Sequence, residues 1–375
     1  MTSWSGKVSP AVFETLIAPH LGATRPEVVV GPRSGHDCAI VKVGAGRVMA
    51  VTTDPLSWIP CLGLERSARL ACHLLASDLW TSGLAPNYAA IEFNLPAELD
   101  DEAFGRYWRA MSDEWKRLQV AVVTGHTGRY GAGGETTLIG GATLIGVGDE
   151  GRYLTPAMAK SGDRVIVTKG CAIEATAIAA HLVPERMRER FAEASRVHAD
   201  ALPARVEASP AQVEASLARA AAFVDQVSVV ADCQALLRVG VRERGISALH
   251  DATEGGVLGG LIELAHACGN DLRVDQSRIP VALEARVACE ALGGLDPYWT
   301  LSEGALIACV TPLRLTEALA ELRSAGIVAA EIGEVIAGTG RVWLTTLDGR
   351  IEPLDTPRPD PYWAAYAKFA ARTER

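Results

Sequence analysis

The sequence lacks any run of about 18 consecutive apolar residues of the kind that spans a bilayer. Its opening residues, Met1 to Lys7, lack the apolar centre of a secretory signal. Both absences predict a soluble chain of the cytoplasm with no membrane role. There is no Cys-x-x-Cys pair among the eight cysteines (38, 61, 72, 171, 233, 268, 289 and 309), and several sit in apolar runs such as 305–310. They read as small buried hydrophobes in a reducing compartment. An excess of positive charge is missing too: the formal charge is -9 and the pI near 5.5. That balance argues against coating nucleic acid, whose affinity comes from Lys and Arg neutralising phosphates, while leaving room for a local basic pocket. No internal repeat or low-complexity tract is present.

What is there is globular. Hydrophobic residues make up 49% and charged residues 22%, and 375 residues exceed what one core usually holds, so two domains are expected. In the first, 28–30, 39–43 and 48–52 are strand-like, with a hairpin turn at 44–47 that puts Asp37 and Asp54 at the same end of the pair. A helix is expected over 65–82, with Leu70, Leu74, Leu75 and Leu79 on one stripe and Gly83 as its stop. Strand 88–94, helix 102–117, strand 120–124, a glycine-rich turn 125–134 and strand 136–147 follow. The spacing sets domain limits of 1–153 and 154–350, with 351–375 as a Pro-rich tail carrying a short helix. Residues 174–240, divided by Pro184, Pro203 and Pro210, read as a helical covering layer. Beyond them the order is helix 254–268, strand 272–274, helix 283–291, strand 305–310, helix 314–324 and strands near 329–335 and 340–345.

Short acidic motifs recur where these elements meet turns: Gly35-His36-Asp37, Thr52-Thr53-Asp54, Ser77-Asp78 and His250-Asp251-Ala252-Thr253-Glu254-Gly255-Gly256. Mg²⁺ takes oxygen ligands from a few carboxylates plus nucleotide phosphates, which makes Asp37, Asp54 and Asp78 a candidate metal set. Each also has a plain reading as a turn or solvated helix residue, although an Asp in the last turns of a helix opposes the macrodipole unless a cation compensates. The loop Gly31-Pro32-Arg33-Ser34-Gly35 is either an ordinary turn or a place where backbone amides and Arg33 meet phosphate. It matches neither the P-loop nor the dinucleotide fingerprint. Gly125 and His126 open a glycine-dense stretch, flexible or approached by a ligand, with His126 either a base or ligand or a structural histidine. Asp251 to Glu254 is read as the cap of a following helix. The cap leaves Gly255-Gly256 unexplained, and close approach of a ligand or another backbone is the better account.

In motif order the chain resembles the aminoimidazole ribonucleotide (AIR) synthase superfamily, from about Gly31 to Thr345. The residues that carry the likeness are Gly-His-Asp-Cys-Ala at 35–39, Thr-Thr-Asp at 52–54, Ser-Asp at 77–78 followed by Ser82, Gly83 and Pro86, Thr168-Lys169-Gly170, and His250 to Gly256. The last of these matches best the hydrogenase-maturation (HypE) branch. The resemblance implies a two-domain α+β fold, an N-terminal mixed-sheet domain that closes a barrel with a second copy and a C-terminal α/β domain. It implies ATP and Mg as cofactors, a homodimer, and a small-molecule substrate phosphorylated on an amide-type oxygen or other acceptor. Carried over by position, it makes Asp37, Asp54 and Asp78 the metal and phosphate ligands, Asp251, Glu254 and His126 the catalytic candidates, and Gly31, Arg33, Gly35, Thr53, Gly125 and Lys169 the nucleotide contacts.

The chain also departs from the branch. HypE ends in a cysteine that carries the group being dehydrated, whereas this sequence ends Ala370-Ala371-Arg372-Thr373-Glu374-Arg375. The family's Gly-Asp-Thr stands here as Gly125-His126-Thr127, and Cys38 replaces a small Ala. The expectation is therefore a HypE-like, ATP-dependent phosphoryl-transfer enzyme without that carrier, with a partner protein of a maturation pathway. A thiamine-monophosphate-type kinase and a nucleotide-binding partner protein without turnover are the alternatives.

Overall fold

The computed structural model describes residues 6–97, 99–130, 138–199 and 209–373. The first sheet opens with β1 (Val28–Val30), β2 (Ala39–Gly44) and β3 (Arg47–Ser57). Ala45 and Gly46, with φ of 51° and 70°, form the two-residue turn between β2 and β3. Left-handed backbone at both positions gives a turn whose twist suits a hairpin. β4 (Tyr88–Leu95), β5 (Ala121–Arg129) and β6 (Leu138–Asp149) complete six strands in the order β1-β2-β3-β6-β4-β5. Only β4 and β5 run parallel, joined across the helix Asp101–Arg117.

That helix and the helix Gly63–Thr81 cover the sheet. Leu75, Leu79, Tyr107, Met111 and Trp115 are buried under them, and Phe93 meets Phe104, Tyr107 and Trp108 edge-on at 5.1, 6.1 and 5.9 Å between centroids. Aromatic edges on faces add to the area they bury. The helix Gly63–Thr81 serves both domains. Its Leu70 belongs to the second core, and its Ser77 hydroxyl accepts the Val229 backbone N–H at 3.0 Å.

The second sheet contains β7 (Arg164–Thr168), β8 (Ile246–Ala252), β9 (Asp271–Asp275), β10 (Ala305–Val310), β11 (Ala329–Ile336), β12 (Val342–Thr345) and β13 (Ile351–Leu354). Their order is β13-β12-β9-β11-β7-β10-β8. The two mixed sheets with covering helices are the expected α+β architecture, and the helical layer falls at 173–182, 184–199, 210–221 and 230–237.

Several expectations need correction. β3 continues to Ser57, so Asp54 lies inside the strand opposite Ala142 rather than after it. β5 runs through to Arg129, so Gly125 and His126 are strand residues and not a loop. The rest of that glycine-rich stretch and the start of the strand expected at 136 lie at 131–137, outside the described residues. Asp251 belongs to β8, buried along its whole length, and does not cap a helix. The tail expected from 351 first adds β13 to the sheet.

The helix Gly256–Cys268 starts two residues later than expected because Gly255 and Gly256 have φ of 81° and 65°. The capping role passes to Asp360, whose Oδ2 accepts the Gly255 N–H at 2.8 Å. A Cβ on Gly256 would come within 2.5 Å of the Tyr298 carbonyl oxygen and 2.9 Å of the Thr300 nitrogen. Gly269 has the same φ of 65° with nothing near its Cβ position. Gly269→Ala is therefore expected to cost about 1–2 kcal/mol for the left-handed backbone alone. Gly256→Ala adds overpacking of roughly 1–3 kcal/mol. Denaturant unfolding checks this, and equal losses would show that close approach is not what requires glycine at 256.

Candidate functional site

The two domains meet at a cleft lined by Lys7, Arg33, Gly35, Asp37, Thr53, Asp54, Asp78, His250, Glu254, Glu263, Arg358 and Asp360, among others. Each carboxylate arrives on a different element. Asp37 precedes β2, Asp54 points from the interior of β3, Asp78 lies near the end of the helix Gly63–Thr81, and Asp251 comes from β8. The Thr52 hydroxyl donates to Asp78 Oδ2 at 2.9 Å and so ties β3 to the helix. Gly35, with φ of 73°, lets its loop lie on the helix Gly256–Cys268, for a Cβ there would sit 2.7 Å from the Glu263 carbonyl oxygen.

His250 bridges the domains. Its Nδ1 lies 2.8 Å from Asp37 Oδ1 and its Nε2 lies 3.1 Å from Glu263 Oε2. A ring with a carboxylate on each nitrogen donates from both, so it is an imidazolium, and its pKa is well above the usual histidine value. Burial opposes that charge, and Asp37 and Glu263 override the opposition. The same contacts hold Asp37 and Glu263 low despite their burial. Asp37, His250 and Asp251 offer ligand atoms within 4.8 Å of one another. His250 has no free lone pair to give a metal, and its part is that of a counter-ion to Asp37 and Glu263.

The remaining carboxylates are short of positive charge. Burial, with Lys7 opposing and Glu254 assisting, pushes Asp54 up to about 6. Burial and Asp37 push Asp251 up to about 7. Asp78 and Glu303 are pushed well above the carboxylate range by burial and then by Asp251. Both carboxylate oxygens of Asp251, which is 1% exposed, have no hydrogen-bond partner among the described residues. Buried acceptors left bare are costly. A hard divalent cation, bound by oxygen ligands, would satisfy them. Asp37, Asp54, Asp78 and Asp251 are the side chains that fit it. On the rim, Arg358 stacks on Trp299 with its guanidinium carbon 4.5 Å from the ring centroid, and Arg33 lies on the β1–β2 loop.

The structure thus brings Asp37, Asp54, Asp78, Glu254, Arg33, Gly35 and Thr53 together on the cleft, with Asp251 buried behind its wall beside Asp37 and His250. Gly31, in the same loop, is not among the lining residues. Lys169 is turned elsewhere, its ammonium donating to Asp232 Oδ2 and the Ser228 carbonyl oxygen, each at 2.7 Å, in a buried pair within the second domain. Gly125 and His126 lie on β5, three places from β3 in the sheet and so roughly 14 Å across it. There His126 meets the Tyr130 hydroxyl and lines a shallow groove with Ile91, Phe93 and Trp108. Lys7, Glu263 and Asp360 escaped the motif reading. Glu263 carried a signal, being the one carboxylate in the apolar run Gly256–Cys268.

Two family models match this chain: the AIR synthase related protein N-terminal domain over residues 35–147 and its C-terminal domain over 160–344. The carbamoyl dehydratase HypE of Bradyrhizobium diazoefficiens is 26% identical over 306 residues, which cover 81% of this chain and 78% of that protein. A HypE–HypF complex superposes with a TM-score of 0.65 at 21% identity, covering 92% of this chain and 100% of that one. HypE in complex with ATP superposes at 0.59 and 21% identity, covering 95% and 94%. Both structures have the same fold as this chain.

The raised carboxyls give the site a pH signature. Asp54 at about 6, Asp251 at about 7, and Glu174, pushed up to about 8 by burial and then Glu254, all keep protons that an unfolded chain releases near pH 4. The folded state binds more protons over this interval, so its stability falls as pH rises from about 4 to about 8. With divalent cations chelated, the melting temperature is expected to fall across that range, and Asp251→Asn should flatten the fall. A melting temperature that climbs over the same range in the chelated protein would contradict the charge balance.

Proposed function

The chain belongs to the AIR synthase related protein family, and we propose that it is an ATP- and Mg-dependent enzyme that activates a small substrate by phosphoryl transfer to an amide-type oxygen or similar acceptor. The observation that carries this reading is the convergence of Asp37, Asp54 and Asp78 on one cleft, with Asp251 of the second domain buried behind its wall beside Asp37 and unpartnered among the described residues. Those four would hold Mg²⁺, which, when bound, neutralises phosphate charge as it builds in transfer. Arg33 and Arg358 on the rim suit phosphate oxygens, since a guanidinium presents a fork of donors. Glu254 faces the cleft from the second domain, and Asp360 fixes the left-handed glycine turn that follows it. Positioning and charge neutralisation are what such a transfer asks of the protein.

The acceptor comes from outside the chain. No cysteine lines the cleft among the described residues. Cys38, the nearest in sequence to a site aspartate, is buried and donates its thiol to the Asp78 carbonyl oxygen at 3.1 Å. Burial and Asp78 push that thiol well above its ordinary pKa, away from the nucleophilic thiolate. The acceptor is a small free molecule or a group presented by a partner protein. The HypE–HypF complex supports a maturation partner by analogy.

We also propose a homodimer through β5, which is exposed along nearly its whole length and carries exposed Val122 and Val123. An unprotected edge strand of this kind pairs readily with another. Light scattering should give twice the chain mass of 39.7 kDa, and Val123→Asp should shift it towards the monomer. A stable monomer at micromolar concentration would contradict the dimer.

Calorimetry in Mg²⁺ tests the site. Asp54→Asn and Asp78→Asn are each expected to weaken ATP binding on the order of a hundredfold, about 2.7 kcal/mol, while remaining folded. Wild-type affinity in both variants would remove these residues from the site. Tight ATP binding without phosphate release across candidate acceptors would identify a binding protein instead of an enzyme.

A further inference from the structure

The segment before β1 reaches the cleft from outside the two family-matched stretches. Its single turn Pro10–Val12, capped by the Ser9 hydroxyl, leads into Phe13–His20. Val8, Val12, Leu16, Ile17 and Leu21 are all exposed, so little apolar burial holds this segment down. Its anchors are polar. The Lys7 backbone N–H donates to Glu254 Oε2 at 2.6 Å, and its ammonium donates to Thr253 Oγ1 at 2.8 Å. Gly6, with φ of 96°, lies against Glu254 and Trp363, so closely that a Cβ would meet Glu254 Oε2 at 2.3 Å.

Lys7 is exposed as a residue, its stem at the cleft mouth, but its ammonium reaches inward. It lines the same cleft as Asp37, Asp54, Asp78 and Glu263, and its bond to Thr253 sets it two residues along the chain from Asp251, without a direct ion pair to any carboxylate among the described residues. The fields of Asp37, Asp54 and Glu254 include it as well. An ammonium in a cleft lined by carboxylates of both domains offsets part of the charge that a bound dication would offset. The two cannot share one small carboxylate cage without strong mutual repulsion.

We propose that Lys7 is a tethered counter-ion that stands in the place of the divalent cation, and that metal binding expels it together with the segment 6–13. The proposal rests on the metal role given above to Asp37, Asp54, Asp78 and Asp251. The strap keeps the carboxylates together while the metal is absent, and it swings clear of the cleft mouth when the metal binds. Cation binding and strap release are then one coupled equilibrium, and each must influence the other by the same factor.

The experiment is Mn²⁺ titration of the full-length, nucleotide-free protein by calorimetry, with hydrogen exchange read at the amides of residues 7–13. Lys7→Met is expected to bind Mn²⁺ on the order of tenfold more tightly than wild type, and Lys7→Arg, which keeps the charge, to stay near wild type. The Lys7 amide should exchange faster once Mn²⁺ is added to wild type. Equal or weaker Mn²⁺ binding by Lys7→Met overturns the strap and leaves the metal site standing, as does exchange that Mn²⁺ leaves unchanged. If no variant binds Mn²⁺, the strap falls together with the metal role of the aspartates.

Discussion

A protonated imidazole held between carboxylates of two domains is the contact on which the cleft depends. His250 stands on β8, Asp37 on the approach to β2, and Glu263 on the helix Gly256–Cys268. Without the positive ring, Asp37 and Glu263 would be buried carboxylates with no counter-charge in contact. The contact also fixes distance, since Gly35 must lie on the backbone at Glu263 for Asp37 to reach the ring. Backbone permissiveness at one glycine and charge on one histidine together set how the first sheet meets the second domain.

Much of this was legible in the sequence. The Gly-His-Asp and Thr-Thr-Asp motifs flank a hairpin whose register is set by its turn, so Asp37 and Asp54 had to arrive at the same end of the β2–β3 pair, although β3 itself runs on past Asp54. Asp78 was legible as a carboxylate at the wrong end of a helix. β8 was not, because Ser247, His250 and Asp251 break the apolar signal of a buried strand. Their burial depends on partners 213 residues away for His250 and 84 for Ser247, which no local pattern encodes. Lys7 is harder still, lying 246 residues from the hydroxyl that holds its ammonium. Lys169 illustrates the opposite failure. A residue in a family motif position was expected at the ligand, and the structure buries it against Asp232 instead.

The Pro-rich stretch near 353–361 read as a boundary, and it acts as a return path. After β13 it brings Arg358 over Trp299 and Asp360 to the Gly255 amide, then seats the helix Pro361–Thr373 with Tyr362 and Phe369 in the second core. Proline restricts the chain to extended conformations, which suits a segment that crosses the face of a cleft without folding into it. The left-handed turn at 255–256 is therefore held from two directions, by the 298–300 backbone packed against Gly256 and by a carboxylate from the C-terminal segment.

The distribution of positive charge within the cleft decides which side is left wanting. His250 serves Asp37 and Glu263 directly, and both stay ionised. Asp78 receives a hydroxyl from Thr52 but no direct cation among the described residues, and its place near a helix C-terminus sets it against the macrodipole. Asp54 and Asp251 are similarly uncompensated, apart from the field of Lys7 at the mouth. A dication entering this cleft gains most where the carboxylates are poorest in partners, so the electrostatics favour the Asp54, Asp78 and Asp251 side, with Asp37 at its margin.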